Sequence, residues 1–458
     1  EDMFPDEGID IVEPPMLVPP SKVRAAEAGF ASRDGGWMPQ EEQIRHFKGC
    51  VYITSLDKIL MPNGTLLNQS RFDSVMGGHK FAIGADTQDP PTKSAWEAFL
   101  KNQRYSAPTA DERCFRPMEA PLSLLNSGNR VLVNCYVPID TPRTAGDAGP
   151  FMDWLSRCYP VERDRAILLN YLASLLQNPG RKFQWWPVLQ SAEGTGKGFL
   201  MTLMQFCVGS QYCHLPNTSK MTRNGINFNG WIENKLFIGL NEIYSANRRD
   251  FLEELKTTVT DMSIPIEGKG IEEATLDNFA NGMMFTNHRD GVPVTVDMRR
   301  YCILFMALQT KADIKAAGMD GKFFANFWDW GFGRGAWAEQ GRDYGFRVMN
   351  DYLRSYALTA ELDPAQLAQD APTSSSTLGA VAASMGRAEQ EVQEAIEQGL
   401  QGFAGGWVSS VMLDRLLDKS RLGVPRNKRR DMMRVLGYDY HPALNDGRVH
   451  NTVLPDGG

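Results

Sequence analysis

The chain has 458 residues, 42% hydrophobic and 22% charged, which fits a globular protein of about two to four domains and excludes a disordered chain. No apolar run reaches the roughly 18 residues of a membrane helix, and the seven cysteines are scattered without a Cys-x-x-Cys pair; this excludes a disulfide framework and fits a reducing, cytoplasmic setting, the host cytoplasm if the gene is a phage's. A net charge of −7 argues mildly against a dedicated nucleic-acid binder, although binding needs local rather than global charge.

Residues 1–40 are rich in proline, glycine and acid, with Pro14-Pro15 and Pro19-Pro20, and read as an extended arm or linker. The chain opens on Glu1 without an initiator methionine or signal peptide, so it is expected to be a piece of a longer polypeptide. From 41 to 148 short alternating runs such as Val51-Tyr52-Ile53 and Arg130-Val131-Leu132-Val133 predict strands. Pro62-Asn63-Gly64 predicts a turn, and the whole reads as a small α+β region. A new domain is expected over 149–360. Ile167, Leu168, Tyr171, Leu172, Leu175 and Leu176 recur at helical spacing, and Asn178-Pro179-Gly180 should end that helix.

Trp185-Trp186-Pro187-Val188-Leu189 then predicts a buried strand, followed by the loop 191–198 (SAEGTGKG) and an apolar helix. Strand, glycine loop, lysine and helix make the setting of a phosphate-binding P-loop. Gly194 and Gly196 let backbone N–H groups turn inward around phosphate oxygens, with Thr195 between them. Lys197 adds a positive charge, and the helix aims its N-terminus at the anion. Ser191 stands where a first glycine is usual. Gly198 stands where a hydroxyl normally meets magnesium.

A second apolar run, 235–240, ends in Asn241-Glu242. Glu242 is the candidate to polarise the attacking water and, with Asn241, to face magnesium; Asn241 replaces the usual acid. A third run, 282–286, ends in Asn287, a candidate γ-phosphate or water sensor. Arg299 and Arg300 open the run 301–306, where an arginine can act as a finger toward a neighbouring subunit's nucleotide. Lys197, Glu242 and Asn287 follow one another at intervals of 45 residues.

This block, residues 150–307, resembles the superfamily 3 helicases, a viral and plasmid branch of the AAA+ ATPases, and looks closest to the helicase part of phage and poxvirus-type primase-helicases. Residues 191–198 match its Walker A motif, 236–242 its Walker B and Phe285-Thr286-Asn287 its sensor motif. Residues 256–270 resemble the family's pore hairpin, so Lys269 is expected on the DNA backbone. Arg300 best matches the arginine finger, with Arg299 second. The resemblance implies a parallel-sheet P-loop AAA+-type α/β motor that binds ATP and Mg²⁺. It also implies a homo-oligomeric, hexameric ring on single-stranded or forked DNA, and a primase-polymerase domain elsewhere in the same polypeptide. Two alternatives stay open: a DNA-remodelling initiator or loader ATPase without processive unwinding, and an inactive P-loop scaffold of a replication complex.

Residues 361–377 are polar and rich in Pro, Ser and Thr, and read as a linker. Residues 378–458 follow as a small domain. Basic residues crowd 415–434 with apolar residues interleaved, and Asn445-Asp446-Gly447-Arg448 signals a hairpin turn. Helix, helix, hairpin suggests a winged-helix-like module, with Arg426, Lys428, Arg429 and Arg430 as DNA contacts.

Overall fold

A computed structural model describes residues 37–85, 89–216, 232–241, 255–268, 271–288, 299–366, 370–384, 387–419, 424 and 426–438. The chain divides into two compact units, Glu1–Asp140 and Thr141–Gly458. No helix among the described residues is long and apolar enough to cross a membrane.

The first unit is mixed α/β. A four-stranded sheet runs in the order Leu66–Leu67, Lys58–Leu60, Val51–Ile53, Thr109–Ala110. A three-stranded sheet has Arg130–Asn134 between Glu112–Cys114 and Leu124–Ser127. The turn at Pro62-Asn63-Gly64 forms as the sequence predicts, with the Asn63 carboxamide accepting the Thr65 N–H at 3.0 Å. Phe47, Phe72, Phe81 and Phe99 fill one core of this unit.

The second unit begins before residue 149. Thr141 and Thr144 bond to Asn350 and Arg347, which ties the segment 141–148 to this unit. Its centre is a five-stranded, all-parallel sheet: β1 (Trp186–Gln190), β2 (Cys213–His214), β3 (Phe237–Leu240), β4 (Asn281–Thr286) and β5 (Tyr301–Phe305), in the order β2-β3-β4-β1-β5. Strands β1, β3 and β4 are buried at every residue, as helices on both faces of a parallel sheet require. The order reverses at β1. The chain leaves β1 toward the β2 edge, and leaves β4 the other way for β5. Such a divergence opens a crevice at the carboxyl ends of neighbouring strands, the usual ligand position in open α/β sheets.

Helix α1 (Gly149–Cys158) and helix α2 (Glu162–Gln177) precede the sheet, and helix α3 (Lys197–Val208) follows β1. Helices α4 (Gly321–Phe332) and α5 (Tyr344–Ser355) then pack on α3. Phe199 of α3 stacks on Phe327 of α4 with centroids 4.1 Å apart and meets Phe346 of α5 at 5.1 Å. The aromatic-rich stretch 320–357 is thus the wall that holds α3, and with it the glycine loop, against the sheet.

Residues 255–260 are helical, and the antiparallel strands Ser263–Gly268 and Ile271–Asp277 form a hairpin after them. The hairpin therefore starts later than the expected 256–270. Leu255 and Val259, four residues apart, are both fully buried, which places one helical face on the core. The hairpin tip with Lys269 lies outside the described residues.

Between the 255–260 helix and the start of β4 lies Lys182, buried, with Nζ donating to the carbonyls of Thr258 (2.7 Å) and Ala280. Burial pulls its pKa down to about 7, while Asp261 acts in the opposite sense. An unfolded lysine holds its proton up to its ordinary value of 10.5. Between pH 7 and 10.5 the unfolded chain thus binds more protons than the folded one, so this group makes stability rise with pH across that window. Denaturant titrations at pH 6.5 and 9 should show the wild type gaining stability relative to Lys182→Met at the higher pH. An identical difference at both pH values would mean that Lys182 is not desolvated.

The stretch 371–377, polar enough to suggest a free linker, lies along the outer edge of β5. The Ala371 N–H donates to the Arg299 carbonyl, Ser374 Oγ to the Ile303 carbonyl, and the Phe305 N–H to Ser376 Oγ. The Asp164 carboxylate of α2 accepts from Ser375 N–H and Oγ. Ser374 and Ser376 are buried. These serines satisfy edge groups of the strand, which explains polarity without exposure.

Helix Thr377–Ser384 packs on β5, with Ala380 buried in the sheet core, and a small helical module follows: Arg387–Glu397, Ser410–Lys419 and Arg426–Val435. Val392, Phe403, Leu413 and Leu417 centre its core. The expected hairpin at 445–448 lies outside the described residues.

Candidate active site

The loop after β1 leaves the sheet through Ser191, whose N–H still donates to the Thr286 carbonyl of β4. It closes on Gly196 at the N-terminus of α3. Gly194 (φ +77°) and Gly196 (φ +90°) both take the left-handed conformation that favours glycine. A Cβ at Gly194 would meet nothing within 4 Å, so the cradle there is open. A Cβ at Gly196 would sit 2.7 Å from the Trp154 indole nitrogen. Alternating backbone of this kind turns successive N–H groups to one side and forms an anion-binding nest.

Lys197 opens α3, and its Nζ turns back over the loop. It donates to Asn287 Oδ1 at 2.6 Å, Ser191 Oγ at 2.8 Å, and the carbonyls of Ser191 (3.1 Å) and Ala192 (3.2 Å). Two residues singled out separately from the sequence, 90 positions apart, thus meet in the crevice between β1 and β4. Ser191, at first sight only a missing glycine, supplies the hydroxyl that holds the lysine and also bonds Thr195 Oγ1 at 2.6 Å. Below them Gln190 and Gln309 exchange hydrogen bonds at 3.0 and 2.9 Å, and Gln190 Nε2 also reaches the Asn287 carbonyl. This amide pair joins the ends of β1, β4 and β5, and no sequence motif marks it.

Asn241 follows β3 directly and is exposed. Glu242 lies outside the described residues. Gly198 lies in the first turn of α3 and brings no hydroxyl; the nearest one along the helix, on Thr202, donates back to the Gly198 carbonyl. The cradle has the shape of an anion nest; on the loop the Ser191 and Thr195 hydroxyls bond each other, and the Glu193 carboxylate is exposed.

Arg299 and Arg300 lie at the amino end of β5, the opposite end of the sheet from Lys197. Trp186, the first residue of β1, pairs with Tyr301, and Gln190, the last, with Phe305. At about 3.3 Å per residue the two ends are roughly 16 Å apart. That is beyond one arginine's reach, so neither arginine serves the loop of its own chain. Arg299 is exposed. Arg300 is half-buried, and its Nε has no partner among the described residues.

Among the four basic residues expected on DNA, Arg429 is a correction. It is buried, and its guanidinium bridges Asp414 (2.6 Å) and Asp418, while Nε donates to the Val424 carbonyl. A charge committed to two carboxylates has little left for a phosphate; Arg429 clamps two helices instead. Arg430 is exposed on the same helix, which also carries Arg426 and Lys428.

Residues 189–300 match a family described as of unknown function (DUF5906). Over 145 residues the sequence is 27% identical to the DNA primase-polymerase of Nitratiruptor phage NrS-1; the match takes in 31% of this chain and 20% of that protein's length. Among solved structures, the apo C-terminal region of NrS-1 shares the fold. Its A form has a TM-score of 0.56 at 16% identity, covering 86% of this chain and 89% of that one. A second apo structure gives 0.55 at 15% identity with the same coverage.

Proposed function

We propose that this chain is the motor part of a phage-type DNA replication protein: an ATP-driven, ring-forming helicase with a P-loop core of the AAA+ type. The observation that carries this reading is the contact of Lys197 with Asn287 in the crevice beside a glycine nest. A charged group for phosphates and a polar strand-end residue share the crevice, and a γ-phosphate entering it would replace their mutual contact. The likeness to a primase-polymerase supports a replication role and a primase-polymerase domain upstream in the same polypeptide. In a hexamer, Lys197 and Glu242 of one protomer and Arg300 of the next complete each ATP site. Lys269 on the hairpin, with Arg426, Lys428 and Arg430 on the C-terminal module, contacts single-stranded or forked DNA.

Magnesium, when bound with ATP, supplies charge neutralisation across the phosphates. Asn241 and Glu242 would hold it from the β3 side, with water and phosphate oxygens completing its shell, as this ion tolerates. Glu242 would orient the attacking water, and Asn287 would hold that water or the γ-phosphate. Gly198 is not imposed by space, because a Cβ there meets nothing within 4 Å. Gly198→Ser should therefore fold with an unfolding midpoint equal to or slightly above wild type, since glycine in a helix costs roughly 0.5–1 kcal/mol. It should also lower the magnesium concentration needed for half-maximal ATP hydrolysis. A midpoint several degrees lower would reveal a constraint on position 198.

The decisive experiment measures ATP hydrolysis with and without single-stranded DNA, together with strand displacement on a forked duplex. DNA-stimulated hydrolysis with displacement is the expected result. Hydrolysis without displacement would mark a remodelling or loading ATPase. Absence of hydrolysis would leave a scaffold, the reading that Gly198 and Asn241 favour.

A further inference from the structure

The glycine loop is held from outside its own motif. Trp154, on α1, is fully buried, and its indole N–H donates to the Thr195 carbonyl at 2.9 Å. Its ring stacks on Phe327 of α4 (centroids 5.8 Å apart, 14° between planes) and leans on Phe151 at 5.4 Å. The same indole nitrogen lies where a Cβ on Gly196 would fall. Trp154 thus touches the loop at the peptide that joins its most constrained residues.

We infer that Trp154 is a positioning residue for phosphate binding: by holding the Thr195 carbonyl, it fixes the Thr195–Gly196 peptide so that the Gly196 N–H faces the nest. A peptide is planar, and its C=O and N–H point in opposite directions. A carbonyl fastened on the α1 side therefore turns the next N–H away from α1. An unfastened carbonyl here would be free to flip toward the nest, where an oxygen in place of an N–H repels a phosphate. Gly196 permits both orientations because it lacks a side chain, so the choice between them has to be made from outside. Phe327 packs on the indole face and in turn on Phe199 of α3, while the indole N–H alone reaches the loop. Trp154 does not touch the nucleotide in this arrangement; it acts through the peptide.

This inference rests on the nucleotide-site reading, and its test keeps the two apart. ATP affinity, KM and kcat are measured on the full chain for Trp154→Phe, Phe327→Leu and Lys197→Ala. A further variant carries benzothienylalanine at position 154, which retains the fused-ring shape and lacks the N–H. Losing one neutral hydrogen bond of this kind should weaken ATP binding about fivefold to tenfold. The loss should appear in KM with kcat at saturation nearly unchanged, because the N–H meets the phosphate in ground and transition states alike. Phe327→Leu, which loosens packing but keeps the N–H, should lower the unfolding midpoint and leave affinity within about twofold of wild type. Wild-type affinity in the benzothienylalanine protein, with binding lost in Lys197→Ala, would overturn the role of Trp154 and leave the nucleotide site standing. Equal loss in Phe327→Leu and in the benzothienylalanine protein would reduce Trp154 to packing. Unchanged ATP binding in Lys197→Ala would remove the site and this inference together.

Discussion

Arg300→Ala should bind ATP as the wild type does and hydrolyse it on the order of a thousandfold more slowly, the scale of losing an arginine finger. The reason lies in the parallel register. Arg300 opens β5 beside Trp186 at the start of β1, while Lys197 lies past the end of β1. An arginine so placed cannot complete its own site; in the proposed ring it would complete a neighbour's. The defect should therefore act in trans. Mixing Arg300→Ala protomers with Lys197→Ala protomers should restore part of the activity, because some interfaces then pair an intact loop with an intact arginine. Normal hydrolysis in the single variant would refute the role, and Arg299→Ala is then the next measurement. Loss of fold would instead assign Arg300 to the packing around its buried Nε.

Lys197→Ala should reduce ATP binding sharply and hydrolysis by roughly a hundredfold or more, as removal of one well-placed transition-state donor does. Lys197 is the loop's cation, and its Nζ already spans both sides of the crevice, from Ser191 to Asn287. The arrival of a phosphate offers it a better acceptor than a carboxamide, so nucleotide competes with Asn287 for the ammonium. Isothermal titration with a non-hydrolysable ATP analogue measures the loss, and the unfolding midpoint reports on the fold. Wild-type affinity in this variant would end the nucleotide-site reading. Lys197→Arg serves as a companion. It keeps the charge in a planar fork that four acceptors gathered around one nitrogen do not suit, so binding should recover only in part.

The sheet and the loop were legible because their backbone demands particular residue types. Apolar runs mark β1, β3 and β4, two glycines mark the left-handed turns, and the helix 162–177 ends at the Asn178-Pro179-Gly180 stop. Lys197 and Asn287 each stand out at a strand end, but their direct contact is visible only in the structure. Other parts left no such trace. Trp154 acts on a backbone carbonyl 41 residues away, and any residue type has a carbonyl. The clamp of Arg429 is tertiary: Asp414 and Asp418 come from another helix, so counting charges along the chain could not separate a paired arginine from a solvated one. Residues 371–377 looked like linker because serine hydroxyls suit water and unpaired strand edges equally. The helical start of the hairpin segment left no clear trace because Thr257, Thr258, Val259 and Thr260 are all β-branched and suit a strand equally well.

The serine-lined segment beside β5 also bears on how copies of this chain can join. An uncovered strand is a template on which foreign backbone grows, the route to fibres and to swapped chains. Here the outer groups of Arg299, Ile303 and Phe305 are already occupied, largely by hydroxyls, and the opposite margin, β2, is two residues long. Among the described residues, neither margin offers a run for accretion. In the proposed ring, copies would then adhere through side chains and loops, contacts that can be broken and remade one interface at a time. A ring that opens around a continuous polymer and closes again, as proposed for this chain, would need seams of that kind.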